Sequence, residues 1–196
     1  MSGVLPDGLD PTVFVHSHGL CESKDVGPRS RIWAFAHVLP GAVIGADCNI
    51  CDHVFVETGA RIGDRVTVKN GVLIWDLVTI EDDVFVGPGV VFTNDLRPRA
   101  RIQRGREALV PTLVKAGATI GANATVVCGT TIGRHAFVAA GAVVTADVSD
   151  HALVAGNPGR RVASVSECGA RLRKDTSAGD PRRVSKKDCA SGWPGG

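Results

Sequence analysis

Large apolar residues recur at every sixth position along most of this chain. Steps of six from residue 14 meet fourteen of them in succession: Phe14, Leu20, Val26, Ile32, Val38, Ile44, Ile50, Val56, Ile62, Val68, Ile74, Ile80, Val86 and Phe92. With 44% hydrophobic residues, a chance run of this length has odds of about one in 10^5. The step then changes phase and continues through Val114, Ile120, Val126, Ile132, Val138 and Val144. The periodicity therefore indicates a repeated structural unit.

A period of six residues fits no α-helix and predicts a short strand followed by a turn. A small or β-branched residue, such as Ala36 or Val54, stands four positions after each large one, so we expect both to point inward. Glycine and aspartate between them supply the corners. Three such hexads close one triangular coil, and coils stack at roughly 4.8 Å. The first hexads carry His18 and Lys24 at the small position, which predicts a frayed or capping start. An ordinary β-sandwich is the alternative.

Residues three hexads apart should stack in columns on the outside of this prism. One outward column is largely apolar and consists of His37, Phe55, Leu73 and Val91. A flat apolar stripe of this kind is usually covered by another surface. We therefore expect a subunit interface here, and a closed ring of identical prisms is the simplest arrangement.

The change of phase predicts an arm that leaves the prism. Phe92 and Val114 are 22 residues apart, so residues 93–113 do not fit the repeat. A long loop on a rigid solenoid is usually functional. Five arginines lie on it, at positions 97, 99, 101, 104 and 106, and such a cluster suits phosphate recognition through charge-assisted hydrogen bonds. A solvated basic loop is the alternative.

The composition agrees with an all-β fold, and the charge is unevenly distributed. Among 196 residues there are 24 Gly and no Tyr, and Val, Ile and Ala dominate the apolar share, which disfavours long helices. We expect one domain over residues 1–159 and a basic tail over residues 160–196, with a short helix and then disorder. The tail has nine Lys/Arg against four Asp/Glu, a net charge of +5, and leaves residues 1–159 at −3. The N-terminus lacks a signal-peptide pattern and no apolar run has membrane-spanning length, so a cytoplasmic location and no membrane or nucleic-acid partner are expected.

Several motifs beyond the hexads resemble a known family. They are Phe92-Thr93-Asn94-Asp95 with Pro98-Arg99, Pro111-Thr112-Leu113-Val114-Lys115, residues 117–123, residues 141–144, residues 156–158, and Arg31-Ile32-Trp33 with His37. Over about residues 12–160 the chain resembles the left-handed β-helix N-acetyltransferases that acetylate the 3-amino group of nucleotide-linked sugars for bacterial surface polysaccharides. The resemblance implies a left-handed parallel β-helix, a homotrimer, acetyl-CoA in the groove between prisms, no metal, and a UDP-linked or dTDP-linked amino sugar as the acceptor.

The resemblance also implies roles for individual residues. Asn94 matches a family asparagine and would position the sugar near its amine, and His37 matches a family histidine that could act as a base or orient one. The expected substrate-binding residues are Asp95, Arg97, Arg99 and Trp75, with the two arginines on the pyrophosphate and the indole on the nucleobase or simply packed at a corner. The expected cofactor-binding residues are Lys115, Ala116, Gly117, Ala139, Ala140 and Arg160.

Other functions are compatible with the same fold. An acyltransferase with a different amine or a hydroxyl acceptor is the nearest alternative. A metal enzyme like the γ-type carbonic anhydrases would need three converging histidines, and none of the six histidines forms the close His-x4-His pair of such sites. A noncatalytic trimeric scaffold is the third. The sequence leaves open the sugar, its nucleotide and the proton acceptor.

Overall fold

The computed structural model describes residues 6–102 and 104–172 and shows a parallel β-helix of short strands. In chain order the strands are β1 Phe14–Val15, β2 Leu20–Cys21, β3 Arg31–Ile32, β4 His37–Val38, β5 Val43–Ile44, β6 Asn49–Ile50, β7 Phe55–Val56, β8 Arg61–Ile62, β9 Thr67–Val68, β10 Leu73–Ile74, β11 Val78–Ile80, β12 Phe85–Val86, β13 Val91–Phe92, β14 Thr112–Val114, β15 Thr119–Ile120, β16 Thr125–Val126, β17 Thr131–Ile132, β18 Phe137–Val138, β19 Val143–Val144, β20 Ala152–Ala155 and β21 Arg160–Ser164. A 3-10 turn, Arg106–Ala108, lies between β13 and β14.

These strands form three flat faces of a triangular prism. Face A contains, in order, β1, β3, β6, β9, β12, β15, β18 and β20; face B contains β2, β4, β7, β10, β13, β16 and β19; face C contains β5, β8, β11, β14 and β17. Neighbouring strands within a face are parallel, and β21 alone among the described strands is added antiparallel, at the end of face A. The predicted left-handed β-helix of hexapeptide repeats is confirmed.

The core is a ladder of inward side chains, as the hexads predict. Ile32, Ile50 and Val68 stack on one face with no exposed surface, and the small Ala36 and Ala42 fill the space beside the corners. Burying each of the large side chains contributes about 1.5–3 kcal/mol. The apolar column is also confirmed, because His37, Phe55, Leu73 and Val91 are consecutive partners along face B.

The three corners share a left-handed backbone residue. We call them corner AB (first example 33–36), corner BC (39–42) and corner CA (45–48), after the faces they join. Along corner CA this residue is often charged: Arg65 has φ 55° and Asp83 has φ 59°. Stacked one coil apart, they form a bidentate pair at 2.7 and 2.9 Å. The pair lowers the pKa of the Asp83 carboxyl through this hydrogen bonding to the guanidinium.

The first coil is one residue shorter than the prediction. Phe14 and Leu20 point outward and are 45% and 43% exposed, whereas Val15 and Cys21 face the core. Phe14 pairs with Arg31, 17 residues further on, while the next pair on this face, Arg31 and Asn49, has a spacing of 18. The expected inward positions of Phe14 and Leu20 are therefore wrong, because one residue is missing from the coil between Cys21 and Val26.

The arm and the C-terminal region also differ in extent from the expectation. Thr112 and Leu113 already belong to β14, so the arm ends at residue 111 rather than 113. β21 begins at the expected tail boundary and pairs back onto β20, so residues 160–164 form a strand of the prism. The remainder of the predicted tail, from residue 173, lies outside the described residues.

Candidate active site

The arm leaves and re-enters the prism at corner BC. Strands β11 and β14 are partners although Val78 and Thr112 are 34 residues apart, whereas the preceding pair on this face, Arg61 and Thr79, is 18 apart, so the arm is an insertion into one coil. Its two roots are joined, because the Val110 N–H donates to the Asn94 carbonyl at 2.9 Å. Asn94 therefore lies where the arm is closed onto the prism, two residues after β13.

Trp75 holds the first root of the arm. Its indole N–H donates to the Phe92 carbonyl at 2.9 Å, and its ring lies 5.7 Å from that of Phe55 on face B. The side chain is half-buried. Corner packing, which was one of the two expected roles for Trp75, is thus what the structure shows, and stacking on a nucleobase stays a prediction.

Asp76 holds the returning segment of the arm at Arg106, four residues before the second root at Val110. Its carboxylate accepts two hydrogen bonds from the Arg106 guanidinium, at 2.5 and 3.0 Å, and its side chain is only 13% exposed. The guanidinium lowers the pKa of the Asp76 carboxyl through this hydrogen bonding. The Asp76 N–H donates to Glu57 Oε2 at 2.7 Å. Gly59 leaves the necessary space, because a Cβ at this position, with φ +89°, would overlap Asp76 Oδ1.

The predicted substrate-binding residues of the arm lie together. Asn94 and Asp95 are half-buried at the root, and Arg97 and Arg99 are exposed beyond them. Asp95 Oδ1 accepts the Arg97 N–H at 2.6 Å, which forms a local turn. Among the described residues, the one partner of the Arg99 guanidinium is the adjacent Pro98 carbonyl, at 3.1 Å, and a guanidinium with five N–H donors has further donors for a ligand.

His37 lies far from this group. It is on β4, and the ladder from His37 through Phe55 and Leu73 to Val91 rises three coils before the chain reaches Asn94. At roughly 4.8 Å per coil this is about 14 Å along the prism. The His37 Nε2 atom is hydrogen-bonded to Glu22 Oε2 at 2.7 Å. The structure therefore does not bring the two predicted catalytic residues together.

The predicted cofactor residues divide between two corners. Lys115, Ala116 and Gly117 lie on corner CA, beside a cavity of about 410 Å³ that is lined by Arg61 and Arg134, among others. The Ala116 N–H at its edge donates to Glu81 Oε2 at 2.9 Å. Gly117, with φ +71°, is covered by the ring of His135, which a Cβ at this position would overlap.

Ala139 and Ala140 lie on corner AB instead, near the C-terminal end of the prism. The Ala139 N–H donates to the Val154 carbonyl at 2.8 Å, and the next residue, Ala155, is the strand partner of Arg160. Arg160, on β21, thus lies two strand positions beyond the two alanines, with β20 between them. No single corner of the prism gathers all six predicted cofactor residues.

Three site residues were missed from the sequence. Asp76, Glu57 and Glu81 make the hydrogen bonds that fix the corners next to the arm and the cavity. For Glu57 and Asp76 the signal was spacing, since the two stand 19 residues apart, about one coil. Glu81 bonds Ala116 across the inserted arm, 35 residues further on, so no spacing pointed to it. Within residues 6–102 and 104–172 there is no cluster of three His, Cys, Asp or Glu that could hold a metal ion, and no helix long and apolar enough to cross a membrane.

Comparison with known families and structures defines the class of protein. The family described as hexapeptide repeat of succinyl-transferase matches residues 41–75, and the bacterial transferase hexapeptide (six repeats) family matches residues 111–146. A hexapeptide-repeat-containing acetyltransferase of Vibrio cholerae, solved with acetyl coenzyme A, is 28% identical, with a TM-score of 0.54 over 63% of this chain and 70% of that one. The polySia-specific acetyltransferase NeuO, 19% identical, shares the fold with a TM-score of 0.55 over 82% of this chain and 79% of its own. The fold and these matches define a hexapeptide-repeat acyltransferase.

A curated relative narrows the family. The chain is 52% identical to the dTDP-3-amino-3,6-dideoxy-alpha-D-galactopyranose 3-N-acetyltransferase of Aneurinibacillus thermoaerophilus. The aligned 162 residues cover 83% of this chain and 83% of that enzyme. The chain therefore belongs to the hexapeptide-repeat sugar N-acetyltransferase family that includes this enzyme.

Proposed function

We propose that this protein transfers the acetyl group of acetyl-CoA to the 3-amino group of a dTDP-linked 3-amino-3,6-dideoxyhexose, in the synthesis of a bacterial surface polysaccharide. The observation that carries the proposal is the 52% identity to an enzyme named for this reaction, extending over 83% of each chain. The basic arm at corner BC supports it, because a nucleotide sugar brings a pyrophosphate and a polar sugar to one place.

The chemistry demands positioning more than a strong base. The neutral amine nitrogen forms a bond to the thioester carbonyl carbon, the C–S bond breaks, and the proton lost by nitrogen leaves with CoA as its thiol. A side chain that orients the amine and a donor that stabilises the oxyanion lower the barrier. We assign the first role to Asn94, a half-buried residue whose backbone carbonyl is held at the arm root by the Val110 N–H, with Asp95 beside it. Arg97 and Arg99 are assigned to the pyrophosphate.

We propose a homotrimer, with face B at the subunit interface. Leu20, Leu73 and Val91 are 43%, 40% and 48% exposed in one column of this face, more apolar surface than a prism alone should present. His37 lies in the same column, three coils from Asn94, so we place it and its partner Glu22 in the interface and not at the reacting amine. A subunit interface on face B would bury this solvent-exposed apolar column.

The trimer also accounts for the split cofactor residues. A groove between neighbouring prisms is walled by one corner from each, so corner CA of one protomer and corner AB of the next can face each other. We propose that acetyl-CoA lies in this groove, with Lys115, Ala116 and Gly117 on one wall and Ala139, Ala140 and Arg160 on the other. Because acetyl-CoA and nucleotide sugars are made in the cytoplasm, we also propose a cytoplasmic location.

The test is a direct assay with a small acceptor panel. Purified protein is mixed with acetyl-CoA and, separately, a dTDP-linked 3-amino-3,6-dideoxyhexose, a UDP-linked 3-amino sugar, and the dTDP sugar with a 3-hydroxyl group. Free thiol is followed with time, and the product mass is measured. We expect turnover with the first acceptor and none with the hydroxyl analogue. Turnover of the hydroxyl analogue alone, or no turnover together with no binding of CoA, would overturn the proposal.

A further inference from the structure

Two adjacent residues of corner BC contact the chain near both roots of the arm, Trp75 at Phe92 and Asp76 at Arg106. We propose that Trp75 and Asp76 act together as a clamp, and that they are positioning residues which set the place of Asn94 against the acceptor sugar. The clamp itself follows from the contacts below, while its effect on the acceptor rests on the role proposed above for Asn94.

The first half of the clamp replaces a backbone hydrogen bond of the repeat. In the two preceding coils of face B, the Val56 and Ile74 carbonyls accept the N–H groups of Leu39 and Glu57, at 2.9 and 2.8 Å. The equivalent carbonyl, that of Phe92, accepts the Trp75 indole N–H at 2.9 Å. A side chain therefore holds the strand end at the position from which the arm departs, two residues before Asn94.

The second half of the clamp reaches Asn94 from the other side. Arg106 is held by Asp76, and its own carbonyl accepts the Leu109 N–H at 3.1 Å, which closes the 3-10 turn. The following residue, Val110, donates its N–H to the Asn94 carbonyl at 2.9 Å. A short chain of contacts thus runs from Asp76 through Arg106 and Val110 to Asn94.

Asp76 is itself firmly placed, which a clamp requires. Its N–H is capped by Glu57, its carboxylate is mostly buried, and Gly59 provides the room in which the carboxylate lies. Of the five arm arginines, all within the described residues, Arg106 is the one ion-paired to the prism. Arg106 thus differs in kind from Arg97 and Arg99, which we assigned to the ligand: it ties the arm down.

The rate at which trypsin cleaves the arm can report whether the clamp holds it. Trypsin can cut the exposed bonds after Arg99, Arg101 and Arg104, whereas the bond after Arg97 is protected by Pro98. An arm released at either root should be cut faster, with no need for any substrate. We therefore compare wild type with Asp76→Asn and Trp75→Phe, the second of which keeps an aromatic ring and removes only the N–H donor. Asp52→Asn, a half-buried carboxylate at corner AB away from the arm, is the matched control.

We expect at least fivefold faster arm cleavage for Asp76→Asn and at least twofold for Trp75→Phe, with Asp52→Asn equal to wild type. Arg106→Gln should match Asp76→Asn, and the double variant should be no faster than either single one, because the two side chains act as a unit. Cleavage at the wild-type rate in both Trp75→Phe and Arg106→Gln would overturn the clamp, even if Asp76→Asn fails to fold.

Kinetics then test the positioning role. For the folded clamp variants, kcat/KM for the amino sugar should fall at least tenfold, while the KM for acetyl-CoA should stay within twofold, because the cofactor residues lie on the other two corners. A faster-cut arm with unchanged acceptor kinetics, or an equal change in both KM values, would overturn the positioning role. If the wild-type protein acetylates no amino sugar, the proposed function fails, and the cleavage rates still decide whether the clamp exists.

Discussion

Adding one methyl group at Gly59 should damage the clamp by displacing the Asp76 carboxylate, with only an ordinary van der Waals contact of 3.6 Å to Arg106 Nη2 of the arm. Gly59 has φ +89°, and the Cβ of alanine there would overlap Asp76 Oδ1 and stand 2.9 Å from Asp76 Cγ. Gly71 offers a matched control on another corner, with φ +73° and no atom within 4 Å of the position that an alanine methyl group would take. Both changes place an L side chain in the left-handed region, but only Gly59→Ala displaces a carboxylate.

The two costs can be separated by size. The left-handed conformation should cost each variant about 1–2 kcal/mol of unfolding free energy. Overpacking against Asp76 should add about 1–3 kcal/mol to Gly59→Ala alone. The measurement is urea unfolding of both variants and wild type at one protomer concentration, since stability of an oligomer depends on concentration. Tryptic cleavage of the arm should accelerate only in Gly59→Ala. Equal unfolding free energies for the two variants would refute the reasoning, because they would show that the Asp76 carboxylate can move aside without any loss of stability.

Three further outcomes are expected. Asn94→Ala should lower kcat at least tenfold with the native oligomeric mass retained, measured by thiol release and light scattering; an unchanged kcat would remove Asn94 from the mechanism. Leu73→Asp on face B should dissociate the proposed trimer at micromolar concentration in sedimentation, whereas Thr67→Asp on face A should not, and a Leu73→Asp variant that keeps the wild-type mass would place the interface elsewhere. Because Arg106 lowers the pKa of Asp76, the stability this carboxylate contributes is complete above its unfolded pKa of about 3.9 and is lost as pH falls through the lower folded value. The difference in unfolding free energy between wild type and Asp76→Asn should thus be constant from pH 8 to 5 and shrink below pH 4; a difference that shrinks between pH 7 and 5 would contradict this sign.

The repeat predicted most of the fold because each hexad specifies its own strand and corner. The same local rule misplaced the first coil. Both residues of Phe14–Val15 are apolar, so a pattern that asks only for an apolar residue is satisfied by either register. Only the stacking of coil on coil, which pairs Val15 with Ile32, decides between them.

Some of the site was also available from spacing alone. Asn94 follows His37 by slightly more than three coils, so their separation along the prism could have been predicted. Ala139 follows Lys115 by one coil and a third, which puts the two on different corners. The Asp76–Arg106 pair could not be found this way, because 30 residues that include an insertion separate the two side chains. Because the arm does not follow the repeat, counting residues through it does not predict which side chains meet.

The loss of register at the insertion also explains why the candidate site lies beside the arm. A prism repeats the same corner in every coil. Asp64 and Asp82, one coil apart, make the same contact, because each carboxylate accepts a backbone N–H from the coil before it. A site that recognises one sugar needs side chains in a place that occurs once. The inserted arm creates such a place, but its departure breaks the ladder, and the broken hydrogen bonds must be replaced. Trp75 replaces the one at the Phe92 carbonyl, and Thr93 Oγ1 accepts the Cys128 N–H at 2.9 Å from the coil above. The residues that repair the interruption are therefore the ones that determine how rigidly Asn94 is held.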